Sequence, residues 1–181
     1  MSNEPKLRTV NKAKPPYELN KFPKSFIDTL GKELVYLMAT KDSYSLEGNE
    51  WEQIFANCIN ATWKPSNVGL DDIILGSCCW GAKTVISSSK NILNQKTVRL
   101  ISGRNSPAYS FEEDNILHQD PNYIGRLVLD IWNERVSAVR QIYKFVRTVV
   151  LVKGKTFDEF MVFETDTVRS VSYTHLTLPT N

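Results

Sequence analysis

A mixed α/β fold, with helices packed on a sheet of both parallel and antiparallel strands, is what this sequence predicts from three observations. Residues 71–75 and 78–83 are two short β-rich runs flanking Gly76-Ser77, a pair suited to a type II′ hairpin turn. From Pro121 to Tyr143, apolar residues Ile124, Leu127, Val128, Ile131, Trp132, Val136, Val139 and Ile142 recur at spacings of three and four, the period of an amphipathic helix. Phe145–Lys153 (FVRTVVLVK) comes directly after it as an apolar, β-branched run. A helix that links two strands of one sheet leaves them parallel, whereas hairpin strands are antiparallel, so the sheet is mixed.

At the amino-terminal end, residues 1–24 carry Lys6, Arg8, Lys12, Lys14, Lys21 and Lys24 against Glu4 and Glu18, with three prolines before Phe22. They read as an extended basic arm, solvated or tracking phosphates. A helix is expected from about Lys24 to Thr40 on Phe26, Ile27, Leu30, Leu34 and Leu37, and a second from Glu50 to Thr62 on Trp51, Ile54, Phe55, Cys58 and Ile59. Asn49 to Glu52 has the pattern of a capping box with Asn49 as N-cap. After the hairpin, Thr97–Gly103 (TVRLISG) is predicted as a third strand, and Phe157–Phe163 (FDEFMVF) as a strand closing the domain. Residues 25–170 thus form one domain. Val171–Thr180 (VSYTHLTLPT) reads as the translation of a transposon-end adaptor from a sequencing library, so residues 171–181 stand apart from the fold. The natural chain is expected to run past Ser170, with an apolar edge near Phe157–Phe163 where its continuation would dock.

Composition narrows the function classes. With 181 residues, of which 41% are hydrophobic and 23% charged, the chain can bury one ordinary core. No apolar run has the length of a membrane span and the start is not signal-like, so a cytoplasmic location is expected. Three cysteines, two of them adjacent, have neither a disulfide nor a zinc spacing. The net charge of +2 neither demands nor excludes nucleic acid. Nothing resembles a Gly-rich phosphate loop or a Ser-His-Asp set, and His118 lies in a polar stretch without an obvious partner.

The hairpin concentrates the chemistry. With Gly76-Ser77 as its loop, Leu75 faces Cys78, Asp72 faces Gly81 and Leu70 faces Lys83. Side chains alternate across a strand, so Asp72 and Lys83 share one face as diagonal neighbours and Asp71 points to the other. A carboxylate and an ammonium beside a residue with no side chain leave room for a hydrated metal ion and a phosphate. That is the chemistry of a metal-dependent nuclease. Past the predicted third strand, Arg104, Asn105 and Ser106 offer a guanidinium, an amide and a hydroxyl suited to phosphate or base edges, or to a turn closed by Pro107. Arg126, Arg135 and Arg140 are expected on a solvated helix face among Asp130 and Glu134.

The order αβββαβ, with an acid on the first hairpin strand and a lysine on the second, resembles the PD-(D/E)XK nuclease superfamily. The stretches Lys64–Asp72 (KPSNVGLDD), Trp80–Val85 (WGAKTV) and Arg99–Pro107 (RLISGRNSP) are similar to a group of bacterial type II restriction endonucleases, and the resemblance spans roughly Leu46 to Phe163. It implies a restriction-endonuclease-like core over residues 25–170 that hydrolyses double-stranded DNA with Mg²⁺, and by analogy a homodimer. Asp72 and Lys83 would be catalytic, with Asp72 and the Ala82 carbonyl on the metal. The sequence departs from the family pattern at one position: Gly81 stands where an Asp or Glu should precede the lysine by two residues. A hard cation seeks a second carboxylate, so the acid must come from Glu50, Glu52 or Glu112. Of these, Glu52 is assigned as catalytic and metal-binding. The other reading is a DNA-binding or assembly module that keeps the fold without cleaving.

Overall fold

In a computed structural model the described residues are 13–41, 45–95, 97–98, 107–111 and 120–170. Gly76 has φ +60° and Ser77 has no positive φ, the backbone of a type II′ turn, and Leu75 pairs with Cys78 as the hairpin register requires. Around this turn, β2 (Ile73–Leu75) and β3 (Cys78–Ile86) are antiparallel. The long helix α4 (Pro121–Ile142) starts at Asp120, whose carboxylate accepts from Asn122 N, with Pro121 preset for the first turn. It delivers the chain to β4 (Phe145–Lys153), which runs parallel to β3 over its full length. β5 (Phe160–Asp166) returns antiparallel to β4, and β1 (Thr62–Trp63) lies antiparallel to β2. The result is a mixed five-stranded sheet in the order β1-β2-β3-β4-β5.

Both faces of the sheet are covered. On one, α1 (Phe26–Thr40) and α2 (Gly48–Cys58) bury Phe26, Leu30, Leu34, Trp51, Ile54 and Phe55 against Ile73, Cys78, Trp80, Ala82, Val149 and Leu151. On the other, Val136 and Val139 of α4 pack on Leu70, Cys79 and Val146. Farther along that face, Ile92 of a short 3-10 turn joins Val150 and Val152. β4 is buried on both sides, and apolar residues therefore lie on both of its faces, with Arg147, Thr148 and Lys153 as buried polar exceptions. A short helix α3 (Pro107–Phe111) precedes α4. Among the described residues no helix is long and apolar enough to cross a membrane.

Several expectations change. The third strand on the hairpin is Thr62–Trp63, ahead of it rather than behind. Thr97 and Val98 lie in no strand, and residues 99–103 fall outside the described set. Helix α2 ends at Cys58 because Asn60 takes φ +53° and the Ala61 N–H returns to the Ala56 carbonyl, a left-handed helix stop. Its cap is Glu47, not Asn49: Glu47 accepts from the third-residue backbone while the Glu50 carboxylate accepts from Glu47 N at 2.7 Å. The last strand begins at Phe160, since residues 154–159 turn back with Phe157 at φ +58° and Gly154 N donating to Glu159 O. Phe160–Phe163 are half-buried, packed in the two cores rather than forming an exposed apolar edge.

Candidate functional site

Alternation along β3 fixes which side chains meet. Cys78, Trp80 and Ala82 face α1 and α2, whereas Cys79 and Val85 face the α4 side. The same alternation assigns half-buried Lys83 to the α4 side. On β2, Ile74 joins Cys79 on that side, and Asp72 follows Ile74 by parity. Asp72 is 5% exposed, and its charge acts on the Cys79 thiol. Burial chiefly, with the neighbouring Cys78 thiol and the Asp71 and Asp72 carboxylates, pushes that thiol up.

The aspartates are held by the loop that precedes them. Ser66 N donates to Asp72 Oδ1 at 2.8 Å, and the Ser66 hydroxyl donates to Asp71 Oδ1 while accepting from Gly69 N. Lys64 N donates to the Asp72 carbonyl at 2.7 Å, extending the β1 pairing. Asp71 does not simply turn to the opposite face. Both carboxylates reach the one serine, and Asp71 adds to the burial that raises the Tyr143 hydroxyl at the end of α4.

Gly81 is explained by this loop. A Cβ at position 81 would lie 2.9 Å from the Gly69 carbonyl oxygen and 3.0 Å from Leu70 Cα, inside contact distance. Gly69 (φ +67°) and Leu70 therefore cross over β3 on the α4 side, where Leu70 had been expected to pair with Lys83. Arg135 of α4 donates to the Val68 carbonyl and pins the loop there, while Arg140 donates to the Thr167 carbonyl at 2.7 Å. Two of the three α4 arginines expected on a solvated face are thus structural ties; Arg126 is exposed.

The space that Gly81 leaves is filled by backbone, so a carboxylate cannot be hung at this position with the loop in place. The candidates for the second acid are engaged elsewhere. Glu50 takes Lys41 Nζ at 2.7 and 2.8 Å, and Glu52 accepts from Trp63 Nε1 at 3.0 Å on β1. Burial opposes ionisation of Glu50, but its bonds to Lys41 and the Glu47 backbone prevail and hold its carboxyl below the usual range. Glu112, His118, Arg104, Asn105 and Ser106 lie outside the described residues. Among the described residues, Asp72 lies on the α4 side by parity, the Ala82 side chain faces α1 and α2, and Glu50 and Glu52 are bound as above. No three His, Cys, Asp or Glu side chains among the described residues converge as metal ligands.

A second polar centre, which sequence reasoning missed, lies under the opposite face. Glu164 (2% exposed) and Arg147 (3%) pair at 3.3 Å inside the sheet layer. Glu164 Oε1 accepts from Trp80 Nε1 at 2.6 Å and from the Tyr17 hydroxyl at 2.7 Å. Arg147 donates to the Tyr17 carbonyl and lies 5.2 Å from the Tyr17 ring centroid; its Nε makes no hydrogen bond. The signal was present: an arginine and a glutamate at inward-facing positions of otherwise apolar strands must find one another or be excluded from the core. No protein-family model, curated protein or solved structure matches the chain.

Proposed function

We propose that this chain is a restriction-type endonuclease acting on double-stranded DNA, with Asp72 and Lys83 of the β2–β3 hairpin as its catalytic pair. The carrying observation is the hairpin itself: its Leu75–Cys78 register and the strand alternation assign both residues to the α4 side. With the 3-10 turn and short α3 between β3 and α4 set aside, the order α2-β1-β2-β3-α4-β4 supports an αβββαβ reading in which the third strand lies ahead of the hairpin, and β3 and β4 are parallel. In this reading the Lys83 ammonium offsets charge gathering on the phosphate under attack and orients the attacking water. Asp72 is held by Ser66 N on the same side of the hairpin by parity. Mg²⁺ is the cofactor the resemblance implies; no step is assigned to it, because the described residues do not complete its site. Arg104, Asn105 and Ser106 are proposed DNA contacts, the assembly a homodimer and the location the cytoplasm.

A second reading, a DNA-binding or assembly module without cleavage, is favoured by one observation: the Gly69 carbonyl occupies the position of the family's second acid. Incubation of the protein with supercoiled plasmid, with and without Mg²⁺, separates the two. Nicking or linearisation that Lys83→Ala abolishes by at least ~10²-fold, with DNA retention in a gel-shift assay unchanged, supports the endonuclease. Retention without cleavage supports the module, and neither cleavage nor retention removes both.

A further inference from the structure

β5 is the last strand of the described sheet, and the backbone groups along its outer side need partners or water. Thr167 N donates to the Val146 carbonyl, so by antiparallel alternation Thr165, Phe163 and Met161 point their peptide groups toward β4. Phe160, Val162, Glu164 and Asp166 point theirs outward. At Glu164 those groups are met by a side chain. Glu164 N donates to Asn20 Oδ1 at 2.6 Å, and Asn20 Nδ2 donates to the Glu164 carbonyl at 3.1 Å. One carboxamide thus makes both bonds that the peptide of a neighbouring strand would make.

The segment carrying that carboxamide is shaped for it. Lys21 N donates to the Glu18 carbonyl, closing a turn in which Asn20 holds φ +62°, a conformation asparagine tolerates better than most residues. The turn is then fastened from below. Asn20 N reaches Glu164 Oε2 at 3.3 Å, Tyr17 reaches Oε1, and Arg147 holds the Tyr17 carbonyl at 2.9 Å. Trp80 of β3 shares Glu164 Oε1, so one buried carboxylate joins the segment to three strands.

We propose that residues 17–20 are a latch that stands in for a sixth strand at the β5 edge, with Glu164 as its catch. The root of the basic amino-terminal segment is therefore docked on the sheet, and freeing the latch releases that root and bares the β5 edge together. The inference does not depend on nuclease activity.

Hydrogen–deuterium exchange of the full chain, resolved to single amides, tests it. In Asn20→Ala the Glu164 amide should exchange about tenfold faster, the loss of bonds of ordinary strength. The Val162 amide, outward but not latched, and the β4 amides should keep their rates. In the double variant Tyr17→Phe, Asn20→Ala, trypsin should cut after Lys21 and Lys24 at least tenfold faster while the strands stay resistant. An unchanged Glu164 amide in Asn20→Ala overturns the latch. So does a rise spread equally over β4 and β5, which would mean general loosening, or unchanged cleavage after Lys21 and Lys24 in the double variant.

Discussion

Asp72 and Glu164 are both buried carboxylates, one toward each face of the same sheet, and they are built in opposite ways. Asp72 is positioned by near neighbours in sequence: the Ser66 N–H binds its carboxylate and the Lys64 N–H its carbonyl. Glu164 is neutralised by Arg147 and bound by Trp80, Tyr17 and Asn20, the last two more than 140 residues away. A carboxylate held by near neighbours in sequence is fixed by its own loop. A carboxylate that joins distant strands to an arginine in the interior is committed to the fold. The difference marks Glu164 as structural, and it is the contrast on which the role proposed for Asp72 rests.

That contrast is tested most strongly at Glu164. Glu164→Ala leaves Arg147 charged and buried and should cost about 3–5 kcal/mol, a fall of roughly 10 °C in Tm for a chain of this length. Asp72→Ala, which leaves the Ser66 N–H without this acceptor, should cost less, about 1–3 kcal/mol. Urea unfolding of both variants measures the pair, and equal losses would erase the distinction.

Gly81→Glu comes next. A glutamate there should destabilise by about 1–3 kcal/mol, because the Gly69 carbonyl must move away from the new Cβ. A variant as stable as the parent would show that the 66–70 loop yields readily to a side chain at this position. Gly76→Ala meets no steric neighbour, so its cost of about 1–2 kcal/mol is that of the left-handed turn alone. A neutral result in the same urea assay would mean the hairpin turn relaxes.

The smallest effect at neutral pH is that of the buried thiols. Burial pushes Cys58 and Cys78 up to about 12. An unfolded thiol ionises near 8.5, so the folded state holds its protons longer. Stability from these groups is fully present below that pH and falls as pH rises from about 8.5 toward 12. Against a Cys58→Ala, Cys78→Ala variant, the parent should lose stability more steeply between pH 8 and 10. Parallel curves would show that the thiols are not sequestered.

The sequence by itself determined the hairpin turn, the long helix, the β4 strand with its bounds, and the mixed sheet that these together require. Each rests on interactions within a few residues or on a period repeated several times, so local pattern suffices. Residues 99–106 and 112–119, where other readings fell, lie outside the described set. Only the tertiary structure decided the two-residue β1 strand, which is too short to leave a period, and the helix stop that Asn60 makes before it. The Gly69 carbonyl over Gly81, the hold of Arg135 on the Val68 carbonyl and the Arg147–Glu164 pair beneath Asn20 were likewise decided by packing. These contacts join segments whose approach is set by how α4 and the amino-terminal turn lie on the sheet. An arginine, a glycine or an asparagine carries no sign of its distant partner until the sheet has brought the two together.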